Sequence, residues 1–419
     1  MSGEACRSRR EFLRKIGAGA CALCAAGLAG GRARGAASGL SVTGEPAPGP
    51  ADAPQPQVAV HDAMWFERLP DKAVKCTLCP RECTVADVER GYCGVRENQG
   101  GDYKTLVYGA LCTMNVDPIE KKPLFHYLPG TKAFSVATAG CNMECKFCQN
   151  WRISQYRPEQ VESLLVPPAD LVRAAKAQAR GALTLAYTYS EPVVFYEYMH
   201  DTAALGRKNG LGSVMISNGY IREPAMRQLC EQVTAVKVDL KAFSEKFYAE
   251  QCAAKLAPVL HTLEVLADVG IHTEIVVLLI PTLNDSSDEL RDMAKWIAKT
   301  MGPDVPLHFS RFHPMYRLDN LPSTPVATLD RARKIALDAG LRYVYVGNVP
   351  FHEGESTYCP KCAKTVIKRV GYRTDLAGLK DGACAACGQK IAGVWTQDQA
   401  LAFKPKAKAP APARPEPRA

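Results

Sequence analysis

The stretch Ala133-Phe134-Ser135-Val136-Ala137-Thr138-Ala139-Gly140-Cys141-Asn142-Met143-Glu144-Cys145-Lys146-Phe147-Cys148-Gln149-Asn150 joins a short, β-rich apolar run to three cysteines spaced Cys-x3-Cys-x2-Cys. A run that is apolar on both faces reads as a strand covered on both sides, as in parallel sheets. Three thiolates on one short loop hold three corners of an iron–sulfur cubane, which ordinarily takes four. One iron then keeps an open position, the feature that separates catalytic from structural metal sites. An open iron binds a chelating substrate. The bland alternative, a zinc knuckle, leaves the rest of the chain's pattern unexplained.

Working outward, the pattern repeats. Further runs at 183–189, 213–217, 235–240, 273–280, 307–312 and 343–346 alternate with helical candidates at 168–180, 192–208, 223–232, 256–269, 288–300 and 329–339. The alternation predicts βα units wound into a full or partial barrel. Polar residues resume just past the runs: Ser190-Glu191-Pro192, Asn218-Gly219, Asp239-Leu240-Lys241, then Arg311 and His313. Barrel chemistry gathers at the C-terminal ends of strands. As a set, these groups read as a rim around the three cysteines. His308, His313, His126, Tyr316 and Asn348 carry no assigned role, and for His308 and His313 a structural one is expected.

The three-cysteine loop after the first strand, with Phe147 before the third cysteine, resembles the radical S-adenosylmethionine superfamily. Asp117-Pro118-Ile119-Glu120-Lys121-Lys122-Pro123-Leu124-Phe125-His126 and Cys148-Gln149-Asn150-Trp151 are similar to the branch near pyruvate formate-lyase activating enzyme. The similarity is closer still to the radical enzyme of the AmmeMemoRadiSam system, and it runs from about Val74 to Trp395. The resemblance implies an α/β fold, a partial (β/α)6 TIM-like barrel with Cys-rich N- and C-terminal modules. It implies a [4Fe–4S] cluster on Cys141, Cys145 and Cys148, with S-adenosyl-L-methionine bound beside it. Glu191 stands near the place of the superfamily's Gly-Gly-Glu segment, without the glycines. Asp239-Leu240-Lys241 resembles the Asp-x-Lys element of glycyl-radical activating enzymes. Ser217-Asn218-Gly219 resembles their Thr-Asn-Gly segment, with Ile216 where they carry an acidic residue. The implied oxidoreductase cleaves the sulfonium reductively to a 5′-deoxyadenosyl radical, which takes hydrogen from a substrate. A glycine of a partner protein, a small molecule and a modified peptide are all open as that substrate. A one-electron reductant protein is the implied partner.

Two other cysteine groups flank the barrel. Cys76, Cys79, Cys83 and Cys93 fall within 18 residues, enough for zinc or an auxiliary iron–sulfur cluster. Cys359-x2-Cys362 and Cys384-x2-Cys387 follow the two-knuckle zinc-ribbon pattern, and zinc is expected there. Disulfides are the alternative for both. Cys112, Cys230 and Cys252 read as buried inert thiols.

Composition frames these readings. Of 419 residues, 47% are hydrophobic and 23% charged, which excludes a mainly disordered chain. The formal charge of +9 sits at the ends: residues 1–37 hold seven basic against two acidic groups, and 404–419 hold five against one. The body between them is balanced, so no nucleic-acid partner is expected. Arg9-Arg10 with Phe12-Leu13, followed by a soft apolar stretch, is similar to a twin-arginine signal and implies export of the folded protein to the periplasm. If the signal is not used, the protein is cytoplasmic. The apolar stretch is too short for a membrane span. The expected organisation is a signal segment 1–37, a Pro/Ala-rich linker 38–60, an N-terminal cysteine module 61–115, a barrel 116–350, a C-terminal module 351–400 and a basic tail 401–419. Two competing readings are a zinc-ribbon interaction protein with a degenerate barrel and an iron–sulfur electron-transfer protein.

Overall fold

A computed structural model describes residues 55–177 and 182–406. The chain divides into two units, residues 1–55 and 56–419. The architecture below is that of the second. The signal-like segment 1–37 and the tail beyond 406 lie outside the described residues, as does the end of the helix expected to reach 180.

Eight strands form one sheet in sequential order: β1 Thr113–Pro118, β2 Lys132–Ala137, β3 Ala182–Tyr187, β4 Gly212–Ser217, β5 Ala235–Asp239, β6 His272–Leu279, β7 Leu307–Arg311 and β8 Val344–Gly347. Neighbours from β2 to β8 pair in parallel. β1 pairs antiparallel with β2, Pro118 opposite Lys132. β1 and β8 do not bond to each other, so the barrel is partial. Six crossovers carry the helices α1 Pro168–Ala177, α2 Tyr196–Lys208, α3 Glu223–Cys230, α4 Glu245–Cys252, α5 Leu256–Val269, α6 Ser287–Thr300 and α7 Val326–Asp338. Each of the seven runs read from the sequence is a parallel strand.

Two differences have local causes. α4 was not anticipated, because eight residues give the helical period too little length to stand out. Its start is nonetheless signed by Ser244, whose side chain accepts from Phe247 N. The expected helix 192–208 opens as a 3-10 turn, Pro192–Phe195, before α2. Pro192 has no N–H to lose at that first position, and the Glu191 carboxylate accepts from Val193 N.

The segment between β1 and β2 closes the lower end of the barrel. Ile119, Leu124, Tyr127 and Leu128 are buried and pack on Ala133, Ala186, Val214 and Ala235 of the strands. Small strand residues leave the space that the bulky plug fills, as native packing density requires. Tyr127 Oη and Thr234 Oγ1 hydrogen-bond at 2.6 Å. The fully buried Glu274 accepts from Phe125 N and His126 N at 3.0 and 2.8 Å, and it pairs with His272 and His308. His126, His272 and His308 therefore belong to the structural framework of the floor.

The C-terminal cysteine segment is strapped to that floor. Leu128 N donates to Val394 O and Val394 N to His126 O, both at 2.8 Å. Arg369 donates to Phe125 O at 2.7 Å and lies 4.1 Å over the Phe125 ring. At the other end of the chain, small antiparallel sheets carry the first cysteine group. Phe66–Arg68, Val74–Cys76 and Thr84–Val85 form one; His61–Asp62, Asp102–Thr105 and Arg96–Gln99 form another. They join the barrel through a buried ion pair between Arg96 and Glu197 of α2.

Candidate active site

The three-cysteine loop leaves β2 through Gly140, whose φ is +103°. A Cβ there would fall 2.6 Å from Val95 Cγ1 and 3.3 Å from Cys93 O. Both the backbone and the space require glycine. Gly140→Ala is expected to destabilise the protein by about 1–3 kcal/mol, read as a lower melting temperature together with poorer retention of iron on reconstitution.

Beyond Gly140, the loop is held from below by α4. Glu144 N donates to Cys252 O at 3.0 Å and Lys146 N to Gln251 O at 2.9 Å. Carbonyls at a helix C-terminus have no partner within the helix, so the loop amides and helix end satisfy each other. Phe147 is buried, 5.8 Å from the Phe247 ring of α4. Cys148 Sγ sits 3.2 Å from Ser154 Oγ. The Cys145 thiol is held below its ordinary value, first by the hydrogen bond from the Cys252 thiol and further by Lys241, although burial opposes both. A metal ligand must be a thiolate, and this environment favours one.

Cys141, Cys145 and Cys148 line a cavity of about 620 Å³ at the C-terminal ends of the strands. Ser190, Glu191, Asn218, Asp239 and Lys241 line the same cavity. The sequence set these groups in separate βα units, and the barrel brings them together. Glu191 Oε1 accepts from Ser217 Oγ at 2.6 Å and Val193 N at 3.1 Å; Oε2 accepts from Asn218 N at 2.8 Å. A carboxylate offers about four acceptor positions, so one remains open. Burial pushes the Glu191 carboxyl up to about 7, against the pull of those donors. Asn218 ties the rim to the cysteine loop, its amide donating to Asn142 Oδ1 at 2.9 Å.

Lys237 joins this wall without being among the rim residues expected from the sequence. It is buried on β5, in ion-pair contact with Asp239, while Lys241 stands 3.2 Å from the other Asp239 oxygen. Desolvation would raise the Asp239 carboxyl, but the two lysines outweigh it and hold it down at about 2. The signal for Lys237 is its spacing: residues two apart on a strand share a face, so Lys237 and Asp239 make a charged pair on the otherwise apolar β5, and Lys241 follows two residues past its end. Buried Asp117 and Lys122 and half-buried Tyr189 form a second polar set at the cavity edge, with Lys122 Nζ 2.5 Å from Asp117 and Tyr189 Oη donating to the same carboxylate. His308 and Asn348 also line the cavity. His313 is exposed, 2.9 Å from Ser323 Oγ. Tyr316 stacks on Trp151 at 5.1 Å.

The donors fit the implied group. Three thiols face one cavity large enough for a bound small molecule. Ser190 Oγ is buried there without a hydrogen-bond partner, and Glu191 keeps an acceptor position for an ammonium. Cys252 does not line the cavity; it sits behind Cys145, leaving three cysteines at its wall.

The radical SAM superfamily matches residues 135–297, which span β2 to α6 and contain the loop and the rim residues above. Residues 135–297 carry a radical SAM domain. An uncharacterized protein of Methanocaldococcus jannaschii is 42% identical over 335 residues, 79% of this chain and 99% of that one. The chain is of one family with it. Among solved structures, a domain of pyruvate-formate lyase-activating enzyme from Bacteroides vulgatus aligns at 15% identity over 39% of this chain and 98% of its own, TM-score 0.36. A radical SAM methyltransferase from Sphaerobacter thermophilus aligns at 15% identity over 52% of this chain and 67% of its own, TM-score 0.42. A domain of this superfamily implies an enzyme that uses a [4Fe–4S] cluster and S-adenosylmethionine.

The C-terminal cysteines form a separate metal-competent group. Cys359, Cys362, Cys384 and Cys387 bring their sulfurs within 4.8 Å of one another. The two halves use one turn twice: Cys359 N donates to Lys364 O and Ala363 N to Cys359 O, while Cys384 N donates to Gln389 O and Gly388 N to Cys384 O. Ala363 and Gly388, at equivalent positions, both have positive φ. The group is able to hold a metal ion. No helix among the described residues is long and apolar enough to cross a membrane.

Proposed function

We propose that this chain binds a [4Fe–4S] cluster through Cys141, Cys145 and Cys148, binds S-adenosylmethionine in the adjoining cavity, and removes a hydrogen atom from a substrate admitted to the same space. The observation that carries this reading is the convergence of exactly those three loop thiols with Ser190, Glu191, Asn218, Asp239 and Lys241 on one cavity. When bound, the cluster and S-adenosylmethionine supply one-electron cleavage of a sulfonium C–S bond and a carbon radical able to take hydrogen. The chain's own groups bind and orient. Asn218 and the α4 carbonyls fix the loop, and Glu191 and Ser190 present an acceptor and a hydroxyl to the ligand's polar end. Asp239, neutralised by Lys237 and Lys241, gives that wall a positive balance suited to a carboxylate. The plug at 119–128 closes the barrel floor and keeps water from entering below.

The test is anaerobic reconstitution of the full chain with iron and sulfide, followed by S-adenosylmethionine and dithionite. The reading expects 5′-deoxyadenosine and methionine; a full cluster complement without either overturns it. The competing interaction-protein reading expects zinc, no iron and no visible absorbance. For the substrate, activation of a partner polypeptide at glycine is the finer proposal. A partner deuterated at glycine Cα should deliver deuterium into 5′-deoxyadenosine, and unlabelled product would rule out that substrate.

For the C-terminal group we assign zinc. Its sulfur pairs stand 3.6 and 3.7 Å apart, close to the roughly 3.8 Å of a zinc tetrahedron with about 2.3 Å bonds. A strong chelator is expected to release one zinc per chain and to lower the melting temperature, because Cys359 and Cys384 are packed into a cluster with Phe125 and Tyr345 at the barrel floor. Zinc release with an unchanged melting temperature would show that the ion carries no structural load.

A further inference from the structure

The first cysteine group differs from the last in a way that bears on its metal. Among the described residues, the C-terminal set is the one group that gathers three or more ligand atoms within 4.8 Å. No three sulfurs of Cys76, Cys79, Cys83 and Cys93 come that close. They instead surround a cavity of about 20 Å³, which all four line. A single zinc ion draws four thiolates to about 3.8 Å from one another, the edge of a tetrahedron with about 2.3 Å bonds. A polynuclear cluster sets its thiolates wider, because metal–metal edges lie between them.

The surroundings suit sulfur ligands of such a cluster. Tyr92 N donates to Cys83 Sγ at 3.4 Å, and the buried Arg96 guanidinium lies 3.9 Å from Cys76 Sγ. Hydrogen bonds to the sulfurs are among the features that set a cluster's potential. The position is also specific. Asn142, the neighbour of Cys141 in the chain, lines the same small cavity. Arg81 donates to Asn142 O at 3.0 Å and stacks 3.6 Å over Tyr92. Cys93 lines both this cavity and an open groove on the outer surface, and Cys141 lines that groove too. The two sulfur sets therefore stand back to back, with Cys93 and Cys141 both reaching the outer groove and the loop sulfurs also facing the barrel cavity.

We infer that Cys76, Cys79, Cys83 and Cys93 hold a second iron–sulfur cluster, through which electrons enter the barrel site. The electron-entry role rests on the proposed function; the cluster itself does not. A low-potential one-electron donor protein loses one electron, the N-terminal cluster takes it up and gives it to the barrel site, and no covalent bond is made or broken.

The decisive sample is the full chain carrying Cys141→Ser, Cys145→Ser and Cys148→Ser, with the N-terminal group intact. After anaerobic reconstitution it should retain iron, about half the wild-type amount if both clusters are of one type. Its dithionite-reduced EPR signal should not respond to S-adenosylmethionine, while the wild type shows an added signal that does. Zinc without iron in this variant would overturn the inference. Cys79→Ser with Cys83→Ser, if it folds, should lose the unresponsive signal and keep the responsive one. It should also be reduced by a protein donor at least tenfold more slowly than wild type; an unchanged rate would overturn electron entry. Wild type that holds both signals but forms no 5′-deoxyadenosine would sink the proposed function and leave the second cluster standing.

Discussion

Cys145→Ala is expected to abolish formation of 5′-deoxyadenosine, with a loss of at least several thousandfold. Cofactors carry this chemistry, and the protein cannot substitute for a lost cluster. Cys145 occupies the middle of the loop, where Glu144 N and Lys146 N are pinned to the end of α4. Its neighbours cannot shift to replace it. Outside the loop, the Cys252 thiol pairs with Cys145, and it stands outside the cavity wall. Cys252→Ala should therefore keep the cluster and most of the activity. Iron analysis and product chromatography on the two variants decide the point. Retained product in Cys145→Ala, or loss of the cluster's response to S-adenosylmethionine in Cys252→Ala alone, would mean that the ligand set is misassigned.

The second large effect is on stability. Arg96 and Glu197 are an ion pair with side chains 1% and 2% exposed. Met64 N also donates to Glu197 at 2.7 Å, and Arg96 donates to Met64 O at 3.0 Å. Glu197→Ala leaves the guanidinium buried and unpaired, a change that costs about 3–5 kcal/mol. The melting temperature should fall by several degrees. Removing both charges, with Arg96→Leu and Glu197→Leu, should recover much of that loss, since a buried pair is often no better than packed hydrocarbon. If Glu197→Ala melts as wild type does, the N-terminal segment is not anchored to α2 as described. Because Val95 and Cys93 press against Gly140, loosening this anchor should also weaken iron retention at the barrel site.

Much of this was legible in the chain. Strand runs showed because a parallel strand buried on both faces must be apolar throughout, a local property. The three-cysteine loop showed because all its ligands lie on one short stretch, and the C-terminal knuckles showed for the same reason. Lys237 was readable in principle from its two-residue spacing to Asp239 on β5. The segment 117–126 was readable only as a resemblance. That it plugs the barrel depends on alanines at 133, 186 and 235, which come from three different strands. Glu274 looked like any charge in a strand. Its hold on Phe125 and His126 spans a sequence separation of about 150 residues.

Local pattern in the chain marked the seven parallel strands, six of the crossover helices and the loop with three thiols, because periodicity and short ligand spacings are written locally. The folded chain alone brings Glu191, Asn218, Asp239 and Lys241 to one cavity with those thiols and lays the first cysteine group against the back of the loop. Such facts follow from barrel curvature and from contacts between distant segments. Linear spacing carries no measure of either.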